Sequence, residues 1–263
     1  MNSIAHTALK TAAMGWCGAA VLGQFIFAAY VLVFYGGAAT RGQFEAWNKV
    51  MPHGFVAGDR AGNAAVALHL FFTVLVVGGG ALQLLPWLRR HAPQVHRWNG
   101  RVYLVGAMVL SVGGVFMLLT RGTVGGPLQH FALALNALLI LAFAGLAWRN
   151  AVARRFDAHR RWALRLFLAV SGVWFFRIGL MAWLVINRAP LGFDPVTFRG
   201  PFLVFLAFAQ YLLPLAVLEL YFRAQQHGSP RVKMAFAAGL ASLTLLMAVG
   251  IVSATLMMWL PRF

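Results

Sequence analysis

The sequence predicts an all-α integral membrane protein with seven transmembrane helices, and three observations carry that expectation. Of its 263 residues 61% are hydrophobic and only 10% charged, with a mean hydropathy of +0.77, whereas soluble domains average about a quarter charged residues. Apolar stretches of about 20 residues, the length a helix needs to cross the hydrocarbon, recur seven times. Two of the helical hairpins so formed repeat one another, with a histidine near each end. A β-barrel is excluded, because its strands would alternate in character over about ten residues.

The first span, 13–36, holds the single cysteine, Cys17. Its apolar run is too long for a cleaved leader and reads as a retained helix. One cysteine rules out a disulfide framework, a Cys-rich metal site and a thiolate-held iron–sulfur cluster. Residues 37–63 form the largest extramembrane piece, with Pro52, several glycines and room for one short interfacial helix. The second span, 64–88, carries His69, the run Gly78-Gly79-Gly80 and Pro86. The third, 100–120, follows His96-Arg97-Trp98. A tight turn from Gly122 to Pro127 leads to the fourth, 128–148, with His130 at its start. The fifth, 162–187, follows His159-Arg160-Arg161-Trp162 and contains Arg177. Asn187 to Gly200, with Pro190 and Pro195, leads to the sixth, 201–222, which holds Pro214 and Glu219. The seventh is 233–259. No loop is long enough for a separate soluble domain. Residues 1–263 are therefore one transmembrane domain: a repeated four-helix core at 64–187, with peripheral spans supplied by 1–63 and 188–263.

The net charge of +17 suggests a nucleic-acid binder, but its distribution argues against one. Residues 89–101, 149–165 and 223–233, with Lys10, hold 14 of the 22 Lys and Arg. These are alternate connections, and by the positive-inside rule they face the cytoplasm, which puts the N-terminus inside and the C-terminus outside. The expected setting is a bacterial inner membrane, with the basic loops against anionic lipid headgroups.

The repeat is carried by side chains. His69 and His130 are 61 residues apart and His96 and His159 are 63 apart, while Trp87-Leu88-Arg89 is echoed by Trp148-Arg149. Ionisable residues in a membrane are costly and tend to mark function. His69 and His130 belong near the outer ends of spans two and four, His96 and His159 near the inner ends of spans three and five. Facing positions in a four-helix bundle can offer two imidazoles to one cofactor, and bis-imidazole ligation suits b-type haem. Two haems stacked across the bilayer would carry electrons between its faces. Gly100, one turn after His96, would let a flat macrocycle approach the backbone. Arg177 is five turns beyond His159, about 27 Å along the same face, where a guanidinium would meet a haem propionate of the outer pair. The plainer reading makes the inner histidines interfacial anchors and the outer ones hydrogen-bonded helix-packing residues. Glu219, the one carboxylate in a span, neutralises an inner-loop arginine on that reading, with a proton relay as its other role, while Asn136 and Gln210 bond across helices.

Leu68-His69, Gln83 and the block His96-Arg97-Trp98-Asn99-Gly100-Arg101-Val102-Tyr103 resemble a bacterial membrane family catalogued as domain of unknown function 2306. So do His159-Arg160-Arg161-Trp162 with Arg165, Arg177, Glu219 and Tyr221. The resemblance covers about residues 64–222 and implies a topology rather than a mechanism; His130 lies outside the family's pattern. One histidine on each of four consecutive helices is also similar to the cytochrome b561 family, whose central helices bring such histidines to two haems.

The leading expectation is thus a di-haem electron-transfer protein, a membrane oxidoreductase with quinol or a redox partner protein as its exchange partner. The alternative is a cofactor-free assembly factor or small transporter; the scarcity of carboxylates in the spans weakens ion-coupled transport. A metal-dependent membrane enzyme using these histidines with Glu219 is a third reading, poor in oxygen ligands.

Overall fold

The computed structural model describes residues 2–262, and every regular element among them is helical. The order is α1 (Asn2–Val31), a π-helical turn (Leu32–Gly36), α2 (Gly37–Thr40), a 3-10 turn (Phe44–Lys49), α3 (Arg60–Gln83) and α4 (Pro86–His91). There follow α5 (Pro93–Thr120), α6 (Pro127–Val152), α7 (Phe156–Val170), α8 (Gly172–Asn187), α9 (Pro201–His227) and α10 (Pro230–Ala254). The last runs into a second π-helical turn (Thr255–Trp259) and a 3-10 turn (Leu260–Arg262). Six of these helices are long and apolar enough to cross a membrane, and the bent pair α7 and α8 makes a seventh span if taken as one. The chain is a multi-span membrane protein whose outer surface shows large apolar side chains such as Leu22, Leu119 and Leu245. Those side chains face lipid tails, which are as apolar as they are.

Proline sets many of the boundaries. Pro86, Pro93, Pro127, Pro201 and Pro230 each stand in the first turn of a helix, where the missing N–H is no loss and φ is preset. Pro86 ends the second span at Gln83, five residues short of its expected limit, and starts the short basic helix α4. Conversely, α5 begins at Pro93 rather than near 100, so His96 belongs to a helical first turn and not to a loop.

The expected fifth span is broken. α7 and α8 meet at Ser171 at an angle of 51°. Ser171 Oγ donates to the Phe167 carbonyl at 2.7 Å, and Gly172 follows it. A Ser-Gly pair with such back-bonding is a recognised cause of kinks. Neighbouring helices satisfy the groups the break frees: Gln24 Nε2 of α1 donates to Ser171 Oγ at 2.8 Å, and Asn136 Nδ2 of α6 to the Ala169 carbonyl at 3.1 Å. Gln210 of α9 lies against Gly172 but bonds within its own helix, to Ala207. Of the two expected interhelical amides, Asn136 alone makes its bond across helices.

The two largest of four apolar clusters among the described residues organise the packing. One joins α3, α5, α6 and α7 through Val76, Tyr103, Ala107, Ala144 and Leu166. The other joins α1, α3, α8 and α10 through Phe27, Tyr30, Val66, Trp174 and Ile251. Glycines permit the close approaches. A Cβ on Gly80 would stand 2.7 Å from Tyr103, one on Gly106 2.6 Å from Val76, and one on Gly250 would meet the Ile178 carbonyl. Small residues at such crossings are what bilayer helices need, since association rests on van der Waals contact.

Candidate functional site

The ends of the helices that carry Arg89, Arg97, Arg154, Arg155 and Arg231 form a basic face, and the opposite face carries the long loop 41–59. At the basic face His96 sits in the first turn of α5. Gln83 Nε2, from the end of α3, donates to its carbonyl at 2.8 Å. The same amide fills the space over Gly100, where a Cβ would lie 3.3 Å from it. Gly100 therefore serves the α3–α5 contact, and Asn99 Nδ2 extends that contact by donating to the Gly79 carbonyl at 2.8 Å. The His96 Nδ1 is buried and has no hydrogen-bond partner.

His159 occupies the first turn of α7. Its Nδ1–H donates to the Ala147 carbonyl of α6 at 2.9 Å, a bond that orients the ring and leaves Nε2 as the lone-pair nitrogen. His96 and His159 act on each other electrostatically, with Arg89 as a further neighbour of His96. Beside them Arg165 of α7 reaches Glu219 of α9 through two bonds, Nε to Oε1 at 2.7 Å and Nη2 to Oε2 at 3.0 Å. Its guanidinium also lies 4.5 Å from the Trp162 ring centroid. Glu219 is thus the counter-ion of a basic-face arginine.

The other two histidines lie apart in their bonding. His69 of α3 has a buried Nδ1 without a partner. Its ring approaches α5 at Gly114, with Cε1 3.8 Å from where a Cβ would stand, and Arg177 acts on it electrostatically. His130, in the first turn of α6, donates from Nε2 to the Thr123 carbonyl of the preceding turn at 3.2 Å. Among the described residues no hydrogen bond or ring contact joins His69 to His130. Nor do three or more His, Cys, Asp or Glu gather where they could hold one metal ion.

Arg177 of α8 has surroundings that span patterns do not disclose. Its guanidinium carbon lies 5.4 Å from the Phe27 ring centroid, and Tyr30 and Tyr35 interact with its charge. Tyr30 and Tyr35 are five residues apart, which in a regular α-helix would place them on different faces. The π-helical turn at Leu32–Gly36 brings their rings to 6.1 Å, edge to face. Residues inserted by a π-turn escape any 3.6-residue period, so the usable signal was only the density of aromatics from Phe25 to Tyr35.

A second group also goes unmarked by sequence. Arg121, just past α5, clasps the long loop: it donates to the carbonyls of His53 at 2.6 Å and Gly54 at 3.1 Å, to Asp59 Oδ2 at 2.7 Å and to Asn63 Oδ1 at 2.8 Å. The Gly62 N–H and the Arg121 guanidinium hold the Asp59 carboxyl below its ordinary pKa.

Fold and site together define a polytopic α-helical membrane protein whose helix ends and interiors carry isolated histidines and arginines. More particularly, the family model described as "Predicted membrane protein (DUF2306)" matches residues 66–213. That is more than half of the chain, and the protein belongs to this family. The match includes all four repeat histidines, Arg165 and Arg177, and stops short of Glu219 and Tyr221. No curated protein and no solved structure matches the chain.

Proposed function

We propose that this chain is a membrane electron-transfer protein whose basic face would hold b-type haem through His96 and His159. The observation that carries the proposal is that these two residues are close enough to act on each other electrostatically. They lie 63 positions apart on different helices, yet His159 keeps Nε2 free by giving its Nδ1–H to Ala147, and His96 keeps a buried ring nitrogen without a partner. A ring nitrogen tied to a carbonyl is the usual support for a ligating imidazole, because it fixes orientation and raises basicity. The donor set also fits: two imidazoles, no thiolate and no clustered carboxylates. Bound there, haem would supply one-electron chemistry, with quinol or another small redox partner at the membrane surface. Gln83 would hold the turn that presents His96, and Arg165 with Glu219 would hold α7 against α9.

The second expected haem, on His69 and His130 with Arg177 at a propionate, has no comparable support. His130 turns to its own loop and His69 faces Gly114. Gly100 supports helix packing rather than an open wall. The four-helix unit of α3, α5, α6 and the bent α7–α8 is best read as a repeated hairpin of the cytochrome b561 kind, and its shared core favours that reading. By the positive-inside rule the basic face is cytoplasmic, in a bacterial inner membrane, with the N-terminus on that side and the C-terminus on the other.

The test is an absorption spectrum of the full chain, gently solubilised from haem-replete cells. The expected result is a Soret band that shifts on dithionite, is lost in His96→Ala and in His159→Ala, and persists in His130→Ala. Colourless protein from such cells would end the proposal.

A further inference from the structure

Toward the face opposite the basic one stands a cation, Arg177, that has no counter-ion among the described residues. The chain has five acidic residues, and each is engaged or placed elsewhere. Asp59 pairs with Arg121 and Glu219 with Arg165. Asp194 accepts from the Val196 and Thr197 N–H groups. Glu45 is exposed on the long loop, and Asp157 is exposed in the first turn of α7 at the basic face. Among the described residues Arg177 has one hydrogen-bond acceptor, the Val173 carbonyl of its own helix at 3.3 Å, although a guanidinium offers five donors. It stands ten residues from the end of α8 at Asn187, about 15 Å below that end at 1.5 Å per residue. A charge at such depth is expensive unless something pairs with it.

Its neighbourhood holds buried nitrogen atoms that have no partner among the described residues. His69 Nδ1, Trp174 Nε1 and Trp259 Nε1 are all buried without hydrogen-bond partners. Trp174 and Trp259 are 2% and 1% exposed and share one packed core with Phe27, Tyr30 and Tyr35. Two π-helical turns converge on the spot. The one in the first span presents Tyr35, and the one after α10 presents Trp259, whose ring lies 5.4 Å from Phe27 and 6.0 Å from Tyr30. Such turns are rare and are found mostly at functional sites. Above them Trp47 Nε1 donates to the Tyr35 carbonyl at 3.1 Å, and Arg262, bonded to the Lys49 carbonyl at 2.8 Å, adds a second positive charge near the two tyrosines.

We infer that this cluster of Arg177, His69, Trp174 and Trp259 binds the oxyanion of an amphiphile, a fatty-acid carboxylate or a phospholipid phosphate, with its tail in the surrounding bilayer. Charge selects the ligand. A neutral acceptor would satisfy the donors and leave the guanidinium unbalanced, whereas a carboxylate or phosphate does both and forms charge-assisted bonds. Depth selects an amphiphile over a free ion, since the tail offsets the cost of bringing the head below the surface. The site shares no residue with His96 and His159 and lies toward the other end of the spans.

The experiment uses the full chain in nanodiscs of zwitterionic lipid and reads tryptophan fluorescence, with Trp174 and Trp259 as the reporters beside the site. Brominated oleate and brominated phosphatidic acid are titrated separately, with inorganic phosphate as competitor. We expect saturable quenching by at least one of the two, at least ten-fold weaker in Arg177→Gln and largely restored in Arg177→Lys. Saturation by oleate alone marks a carboxylate ligand; saturation by phosphatidic acid that inorganic phosphate cannot displace marks a lipid phosphate. The brominated methyl ester, with the same tail and no charge, should give only unsaturable partitioning, a comparison that needs no variant. Equal quenching by acid and ester, or saturable quenching unchanged in Arg177→Gln, would overturn the inference. So would displacement of the brominated probes by a neutral quinone but not by unbrominated oleate.

Discussion

Replacing Arg121 by alanine should release the long loop at 41–59 and destabilise the protein by about 2–4 kcal/mol. The magnitude follows from the four bonds that Arg121 makes to His53, Gly54, Asp59 and Asn63. Bonds to charged groups contribute about 1.5–3 kcal/mol each when one partner is removed, but the four share one side chain and do not add. The Asp59 part is the smallest. Its side chain is 41% exposed against 6% for Arg121, so water replaces much of the lost partner and its share is minor. The two loop carbonyls and Asn63 supply the rest. Thermal unfolding in detergent gives the total, a cycle with Asp59→Asn isolates the pair, and limited proteolysis of residues 41–59 reports the loop. A loss below about 0.5 kcal/mol with unchanged protease protection would refute the clasp. The same carboxylate sets a pH dependence. Because its pKa is lower in the folded protein, its contribution is complete above the ordinary carboxylate value of about 4. It is lost as pH falls from there through the depressed value. Loop protection should therefore be flat at neutral pH, weaken in acid, and lose part of that dependence in Asp59→Asn.

Ser171→Ala should cost about 1–2 kcal/mol, because the buried Gln24 amide loses its acceptor. A melting-temperature change as large in a Gln24→Leu background would refute the coupling. Glu219→Gln should cost about 0.5–1 kcal/mol and remove part of the salt dependence of unfolding, since Glu219 is 43% exposed and its partner Arg165 only 18%. Gly250→Leu should cost about 3 kcal/mol, as the new side chain would run into the Ile178 carbonyl and part α8 from α10. Size-exclusion behaviour together with melting checks it.

The spans were legible because a bilayer imposes length and composition on any helix that crosses it, and those constraints act locally. Their ends were less so. His96 was expected ahead of a helix yet lies inside one, because Pro93 starts α5 a full two turns earlier than hydropathy suggests. The bend between α7 and α8 was hidden: Ser171-Gly172 is an unremarkable dipeptide until Gln24 and Asn136 arrive from other helices to hold it open. Of the candidate site, Glu219 as partner of a basic-face arginine followed from the shortage of alternatives. The bond of His130 to the Thr123 carbonyl did not, since equal spacing along a repeat fixes depth and leaves facing direction to the packing.

Composition, span count, the crowding of charge at one face and the four repeated histidines are properties of the chain itself, set by how each segment partitions between water and lipid. Which rings face each other is another matter. The electrostatic influence of His159 on His96 and the placing of Arg177 among aromatics depend on how the helices pack, through a kink, two π-turns and a few glycine crossings. Each of these is a contact between distant segments, and short-range periodicity carries no information about such contacts.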